Sequence, residues 1–424
     1  MSRTRARRST ALLAAAALAV GLAACAGGGV PVELDPDPDK PFVLTGVSGL
    51  TEVAQLTGPA GINDTEAVGV AGTDLGSMTT VGDRTWFFFG DTFGERAPGT
   101  TGGQGGQWRS NVAAWTTDDD PTDGIFFDGW VADGIGLAAP LIEGDHGPND
   151  GSGEVTKIPT AGFAIGDTIY VSYMSVSYWG DPGAWDANRS ALVVSRDDGQ
   201  TWAPVEGIEW PGDSGFVQFA TAPVTADGED WIYLWAIPSG RFGEVRLMRV
   251  PATEEAVEDQ GSYSYFAGLD GDEPVWSDDL DDAQVVVEGT IGELSVMWST
   301  YLERWIMTYS DAGNAYIREG ITPWGPWGEP LELVPGDDYP GLYGPYLDPR
   351  YVSDDGRRIY FTLSLWDPYN VFWFAADLDR ADGGAARRRL LRMKSISPNL
   401  AHTRSEWIDA SWSAPPPGGS RDTA

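Results

Sequence analysis

The chain has 424 residues and carries 63 Asp+Glu against 27 Lys+Arg, a net charge of −36. So large a negative excess repels nucleic acid and anionic surfaces, and nucleic acid is not an expected partner. The single cysteine excludes an internal disulfide framework. Two histidines, His146 and His402, leave little room for a His-rich zinc site or a Ser-His-Asp triad.

Residues 1–25 are expected to be a secretory signal of the lipoprotein type. Arg3, Arg5, Arg7 and Arg8 precede an apolar run, TALLAAAALAVGLAA, which closes as LAAC on Cys25. The run is short for a membrane-spanning helix. In this reading Cys25 is the lipidated first residue of an exported protein, which it ties to the cell membrane on the wall side. Residues 26–45 are Gly-, Pro- and Asp-rich with little to bury, which predicts a flexible tether.

From residue 46 to 378 short runs rich in β-branched and aromatic residues alternate with Gly/Asp/Pro turns, and no long segment has helical period. Thr51–Leu56 could be a first short strand. The stretch Gly72–Gly94 then reads as a hairpin turned at Val81–Arg84, with Asp74 and Asp91 near its two ends. In an antiparallel pair those ends share one edge, so both carboxylates arrive at the same rim. Either aspartate alone could be a turn residue. The same unit, however, recurs. Second strands are expected at RTWFFFG, DTIYVSY, DWIYLWA, RWIMTYS and RRIYFTL, each with a strand before and after it. Five copies of one meander predict an all-β, five-bladed β-propeller. Ser195–Trp202 fits the S-x-D-x-G-x-T-W pattern of a turn on the outside of a blade. Residues 379–424, with Arg387, Arg388 and Arg389, read as a basic, disordered tail.

Propeller ligands bind where the first strands begin. The rim so defined gathers Asp74, Asp91, Glu154, Glu293 and Asp348 with Arg109, Asn111, Asn370, Trp179, Trp366 and Tyr369. Carboxylates among amides and aromatic planes suit a sugar polymer: a carboxylic acid and a carboxylate cleave an acetal, and rings stack on sugar faces. Lys157 is expected to face the rim as a charge partner of Glu154. Ca²⁺ would suit so many carboxylates, but no spacing identifies a site, and no cofactor or metal is expected.

The pieces GTDLG, FFGDTFG, RSN, GEVTKIPT, GELSVMW and SLWDPYNVFWF, in that order over about 46–378, resemble the DUF4185 domain family. Members of that family are endo-D-arabinanases (glycoside hydrolase family 183) that cut D-arabinofuranose chains of mycobacterial arabinogalactan and lipoarabinomannan. The resemblance implies a five-bladed propeller, catalytic roles for Asp74 and Asp91, and an arabinan substrate. The alternatives are another glycosidase, sialidase-like or acting on L-arabinan, and a non-catalytic wall-binding lipoprotein. With only Arg109, Arg189 and Arg241 near the rim, a sialidase arginine triad is not evident.

Overall fold

A computed structural model of the chain describes residues 30–34 and 40–381. The expected signal segment, Cys25 and nearly all of the basic tail lie outside these residues. The described chain is all-β, and its strands run in antiparallel meanders, the third and fourth of which join edge to edge within one ten-stranded sheet. The first runs through Leu75–Val81, Arg84–Phe89, Val112–Thr116 and Gly129–Trp130. The second has Thr156–Ile165, Thr168–Trp179, Trp185–Ser195 and Ala203–Pro211. Gln218–Ala226, Glu229–Ile237, Gly243–Pro251 and Ser264–Asp270 form the third. The fourth comprises Val285–Ser299, Arg304–Asp311, Asn314–Gly320 and Leu331–Val334.

The fifth meander is completed from the other end of the sequence. Leu342–Val352, Arg358–Leu365 and Asn370–Arg380 are joined by Leu44–Gln55, which pairs along Asn370–Arg380 with Leu44 opposite Arg380 and Gln55 opposite Phe372. This closing strand starts before residue 46 and is twice the length of the strand expected at Thr51–Leu56. Its polar sequence, LTGVSGLTEVAQ, suits an outer edge with little to bury. The first strand of each meander packs beside that of the next, and that of the fifth beside that of the first, so the five close a ring. Cross-ring bonds tie it, among them Thr221 Oγ1 to Gly162 O at 2.7 Å and Leu347 N to Ser295 Oγ at 3.0 Å.

Aromatic residues fill the spaces between meanders. Trp86, Trp210, Trp235, Trp305 and Trp373 are fully buried, each contributing roughly 2–3 kcal/mol by burial. The Ser195–Trp202 turn has the expected internal bonds, with Asp197 accepting from Thr201 N at 2.8 Å and Thr201 Oγ1 at 2.6 Å. It locks two meanders together, because Trp202 packs edge-on against Trp86 and Phe88 of the first. Gly199 lets this turn close, since a Cβ there would lie 2.0 Å from the Trp86 ring.

Part of the stretch expected to be a tether is ordered. Val32–Glu33 lies parallel to Gln218–Ala226, with Val32 opposite Val224, and Val30 and Val32 line the far end of the central channel. The closing strand is also pinned at its start. The buried Glu319 carboxylate accepts from Val43 N at 2.9 Å and Leu44 N at 3.0 Å. Glu319→Ala would strand both donors. It is expected to cost about 2–3 kcal/mol in urea denaturation.

Candidate active site

The turn at Val81–Arg84 sets the hairpin register: Val81 faces Arg84 and Leu75 faces Phe89. Gly90 N then donates to Asp74 O at 3.1 Å, and Asp91 follows at the same edge. Gly90 is required here, because a Cβ would lie 2.4 Å from Asp74 Oδ1. The backbone around the site is held in an unfavourable conformation at two non-glycine residues: Leu75 and Tyr369 both have φ of 65°. Such residues persist only where their surroundings over-determine them, and they collect at functional sites. Leu75 N is fixed by Ser364 Oγ at 2.8 Å.

The two carboxyl groups are held differently. Asp74 Oδ2 accepts from the Tyr343 hydroxyl at 2.9 Å, and its Oδ1 is buried without a hydrogen-bond partner. Asp91 Oδ1 accepts twice, from Trp108 Nε1 at 2.7 Å and Thr156 Oγ1 at 2.6 Å. Tyr369 lies against both residues: its hydroxyl donates to Asp91 O at 3.1 Å, and it is close enough to Asp74 to favour the charged form of that carboxyl. Burial pushes Asp74 up to about 7, with the neighbouring charge of Asp91 adding to it. Burial likewise pushes Asp91 up to about 7, against the bonds from Thr156 and Trp108, which favour its charged form.

Behind Asp74 lies an ion pair. Arg241 Nε donates to both oxygens of Glu293, at 2.7 and 2.9 Å, and Nη2 stands 2.6 Å from Glu293 Oε1. The guanidinium sits 4.6 Å over the Tyr343 ring and 5.5 Å over that of Trp185. Tyr343 is thus wedged between this pair and Asp74. Burial and Asp74 raise its own pKa far above the ordinary tyrosine value, so it remains a donor.

Of the residues expected at the rim, the structure brings Asp91 and Glu293 close to Asp74. Trp179 lies 5.5 Å from Trp185 at the edge of the site, and Trp366 stands edge-on to Tyr369 at 5.7 Å. Tyr369 is not a stacking platform: its ring is only 2% exposed and serves the site through its hydroxyl. The other candidates are committed elsewhere. Asn111 is buried, with its amide spent on Ile142 O, Lys157 O and Leu141 N. Arg109 holds Ala138 O and Gly69 O. Buried Asn370 accepts from Thr57 and faces Pro368 O. Glu154 is closed off by Lys157 Nζ at 2.6 Å, Ser175 Oγ at 2.6 Å and Asp145 N at 3.1 Å. The expected Lys157–Glu154 pair therefore forms, but as an internal clamp. Asp348 lies in mid-strand and bonds Thr80 Oγ1 at 2.9 Å, at the far end of the hairpin from Asp74.

Trp108 and Thr156 were not placed at the rim from the sequence, whereas Tyr343 and Arg241 were placed there without a role. Thr156 begins the first strand of its meander as Asp74 precedes its own, a positional equivalence that could have found it. Trp108 belongs to an inserted hairpin, Thr92–Glu95 with Gly106–Arg109, which no repeat announces. Among the described residues no three His, Cys, Asp or Glu side chains converge as a metal cage.

A family profile described as "Domain of unknown function (DUF4185)" matches residues 60–375. The chain belongs to the DUF4185 family. No curated protein matches it. Among solved structures, this DUF4185 chain is similar to Zg3597, a family 117 glycoside hydrolase of Zobellia galactanivorans (11% identity, 80% of this chain and 91% of that one, TM-score 0.43). It is also similar to the α-L-arabinofuranosidase PaAbf62A of Podospora anserina (12% identity, 79% and 99%, TM-score 0.43). A third is the endo-arabinase of Bacteroides thetaiotaomicron (11%, 71% and 91%, TM-score 0.36). Likeness at this distance assigns neither substrate nor mechanism.

The raised carboxyl pKa has a consequence for stability. A carboxyl group near 3.8 in the unfolded chain and about 7 in the fold binds its proton more tightly when folded. Its contribution is present below about pH 4 and is lost as pH rises through 7. Asp74→Asn removes the buried charge. Its melting temperature is expected to exceed that of the unaltered protein by about 2 °C or more at pH 8 and to match it at pH 4.

Proposed function

We propose that this DUF4185 protein is an endo-acting glycoside hydrolase that cleaves internal furanosidic bonds of a D-arabinan, on a five-bladed propeller, with Asp74 and Asp91 as its catalytic carboxyls. The observation that carries the reading is the carboxyl pair itself. Two carboxyls share one rim, both with proton affinities raised to about 7, each with a different set of donors. Near neutral pH such a pair holds one proton between two groups, which is the state acetal hydrolysis needs. The titration belongs to the pair as a whole.

The donor sets favour one division of labour. Asp91 accepts two hydrogen bonds on one oxygen, which stabilise its carboxylate. Asp74 accepts one such bond, from Tyr343 on Oδ2, and although Tyr369 also favours its charged form, its Oδ1 has no hydrogen-bond partner and is the oxygen left to carry a proton. Asp74 is therefore the general acid. It protonates the glycosidic oxygen as the bond to the anomeric carbon breaks. Asp91 is the carboxylate that activates water or attacks that carbon. Trp179 and Trp366 offer planes for flanking sugars. The D-arabinan substrate follows from the motifs that resemble the endo-D-arabinanases. On the LAAC pattern ending at Cys25, we read the protein as exported and lipid-anchored facing the cell wall.

Two measurements test this. Asp74→Asn and Asp91→Asn are each expected to lower oligosaccharide release from mycobacterial arabinogalactan by roughly 10²–10⁴-fold, with circular dichroism unchanged. Full activity in either variant overturns the assignment. The rate–pH profile is expected to be a bell centred near 7: the acid limb comes from protonation of Asp91 and the alkaline limb from loss of the Asp74 proton.

A further inference from the structure

One of the chain's two histidines stands beside this site without touching either carboxyl. His146 lies flat on Trp108, with ring centroids 3.9 Å apart and planes inclined by 9°. Trp108 is the residue whose indole N–H donates to Asp91 Oδ1 at 2.7 Å. Phe93 also stacks on this indole, but at 6.4 Å. Trp108 is only half-buried in a short inserted hairpin, so its ring direction is not dictated by a packed core. The tight ring contact comes from His146.

The histidine is itself held with care. Its Nε2 is 2.9 Å from Ser110 Oγ, and its backbone is in the left-handed region, with φ of 51°. The residues on either side are tied to Glu154: Asp145 N donates to Glu154 Oε1 at 3.1 Å, and Gly147 N to Glu154 O at 2.9 Å. Lys157 closes the clamp, donating to Glu154 Oε1 and Glu143 O at 2.6 Å each. A buried ion pair that touches nothing in the catalytic rim thus fixes the loop that carries the imidazole. This gives the Glu154–Lys157 pair a purpose that its own surroundings do not.

We propose that His146 is a positioning residue for Asp91, acting through Trp108 as the platform that keeps the indole N–H on the carboxylate. The proposal rests on the reading of Asp91 as the catalytic carboxylate. Without the platform the indole is free to turn, and Asp91 loses one of its two donors. A carboxylate that loses a donor binds its proton more tightly, so Asp91 would become protonated at a higher pH. The charged groups facing His146 are Glu143, Asp145, Glu154 and Lys157, and Asp91 faces Asp74 and the Tyr369 hydroxyl. None of these is removed by altering His146, which isolates the effect of the stack.

The test compares His146→Ala, His146→Leu and His146→Phe in the full-length enzyme, with mycobacterial arabinogalactan as substrate. In the Ala and Leu variants the acid limb of kcat/KM is expected to move up by about one pH unit, the amount one hydrogen bond to a charged group supplies. At pH 6 kcat should fall about tenfold, with KM within about twofold of the parent. Phe, which restores a flat ring but not the Ser110 bond, should recover most of both. An unshifted acid limb in Ala and Leu overturns the proposal, and so does a loss carried by KM alone. If Ala fails to fold, the Leu–Phe difference decides alone. Asp91→Asn separates the two levels of inference: if it is inactive while His146→Ala behaves as the parent, only the role of His146 falls. If Asp91→Asn is active, the assignment beneath it falls.

Discussion

Two half-buried carboxyls brought to one edge by a single hairpin are an electrostatic liability that the surrounding molecule has to contain. Desolvation disfavours the charge on each, and the charge of Asp91 further disfavours that of Asp74. A flexible loop would relieve this by letting one side chain turn out to water. The hairpin resists this, because its register is set at Val81–Arg84, its first strand packs between the first strands of its neighbours, and the Asp74 carboxyl is packed directly against Gly90. Ring closure in turn depends on Leu44–Gln55 pairing along Asn370–Arg380. The strain recorded at Leu75 and Tyr369 is local, but the rigidity that sustains it belongs to the whole ring.

The arginine nearest the pair sharpens the same point. A free guanidinium beside Asp74 would pull its pKa down and remove the proton that its proposed role as general acid requires. Arg241 is instead bound to both oxygens of Glu293 and presents the flat face of its charge to Tyr343. Glu293 therefore does two things for Asp74: it occupies the arginine, and its own negative charge helps raise the aspartate's proton affinity. Its placement in a register shift of Val285–Ser299, between Gly292 and Leu294, turns it toward the site.

What could be read from the sequence follows a physical division. The strands were legible because burial repeats: each meander places an apolar second strand between two others, and RTWFFFG, DTIYVSY and DWIYLWA are each largely interior. Asp74 and Asp91 were legible because hairpin geometry relates their positions without knowledge of anything else. Residues at the other rim positions were not, because position at a strand end does not say which way a polar side chain turns. Asn111 turned inward to satisfy backbone carbonyls and Asn370 to accept from the Thr57 hydroxyl, and an amide that finds such partners is no longer available to a ligand. Asp348 was misplaced for a simpler reason: its strand begins at Leu342, and six residues carry the carboxylate away from the rim. The closing strand was underestimated because an exposed edge strand needs no hydrophobic signature.

The acidity of the chain, a net charge of −36, can be understood in the same terms. In the proposed cleavage of an arabinan, the neutral furanoside gains little from a negative field in its ground state. On the way to cleavage its anomeric carbon becomes positively charged, and a field that is indifferent to the substrate then favours the transition state. Asp91 supplies the nearest negative charge, held by Trp108 and Thr156 so that it need not reorganise as the positive charge develops. Glu293 lies behind Asp74, screened in part by Arg241. A pair of carboxyls with no free cation between them is poor design for a stable fold, but it suits a site where positive charge has to appear.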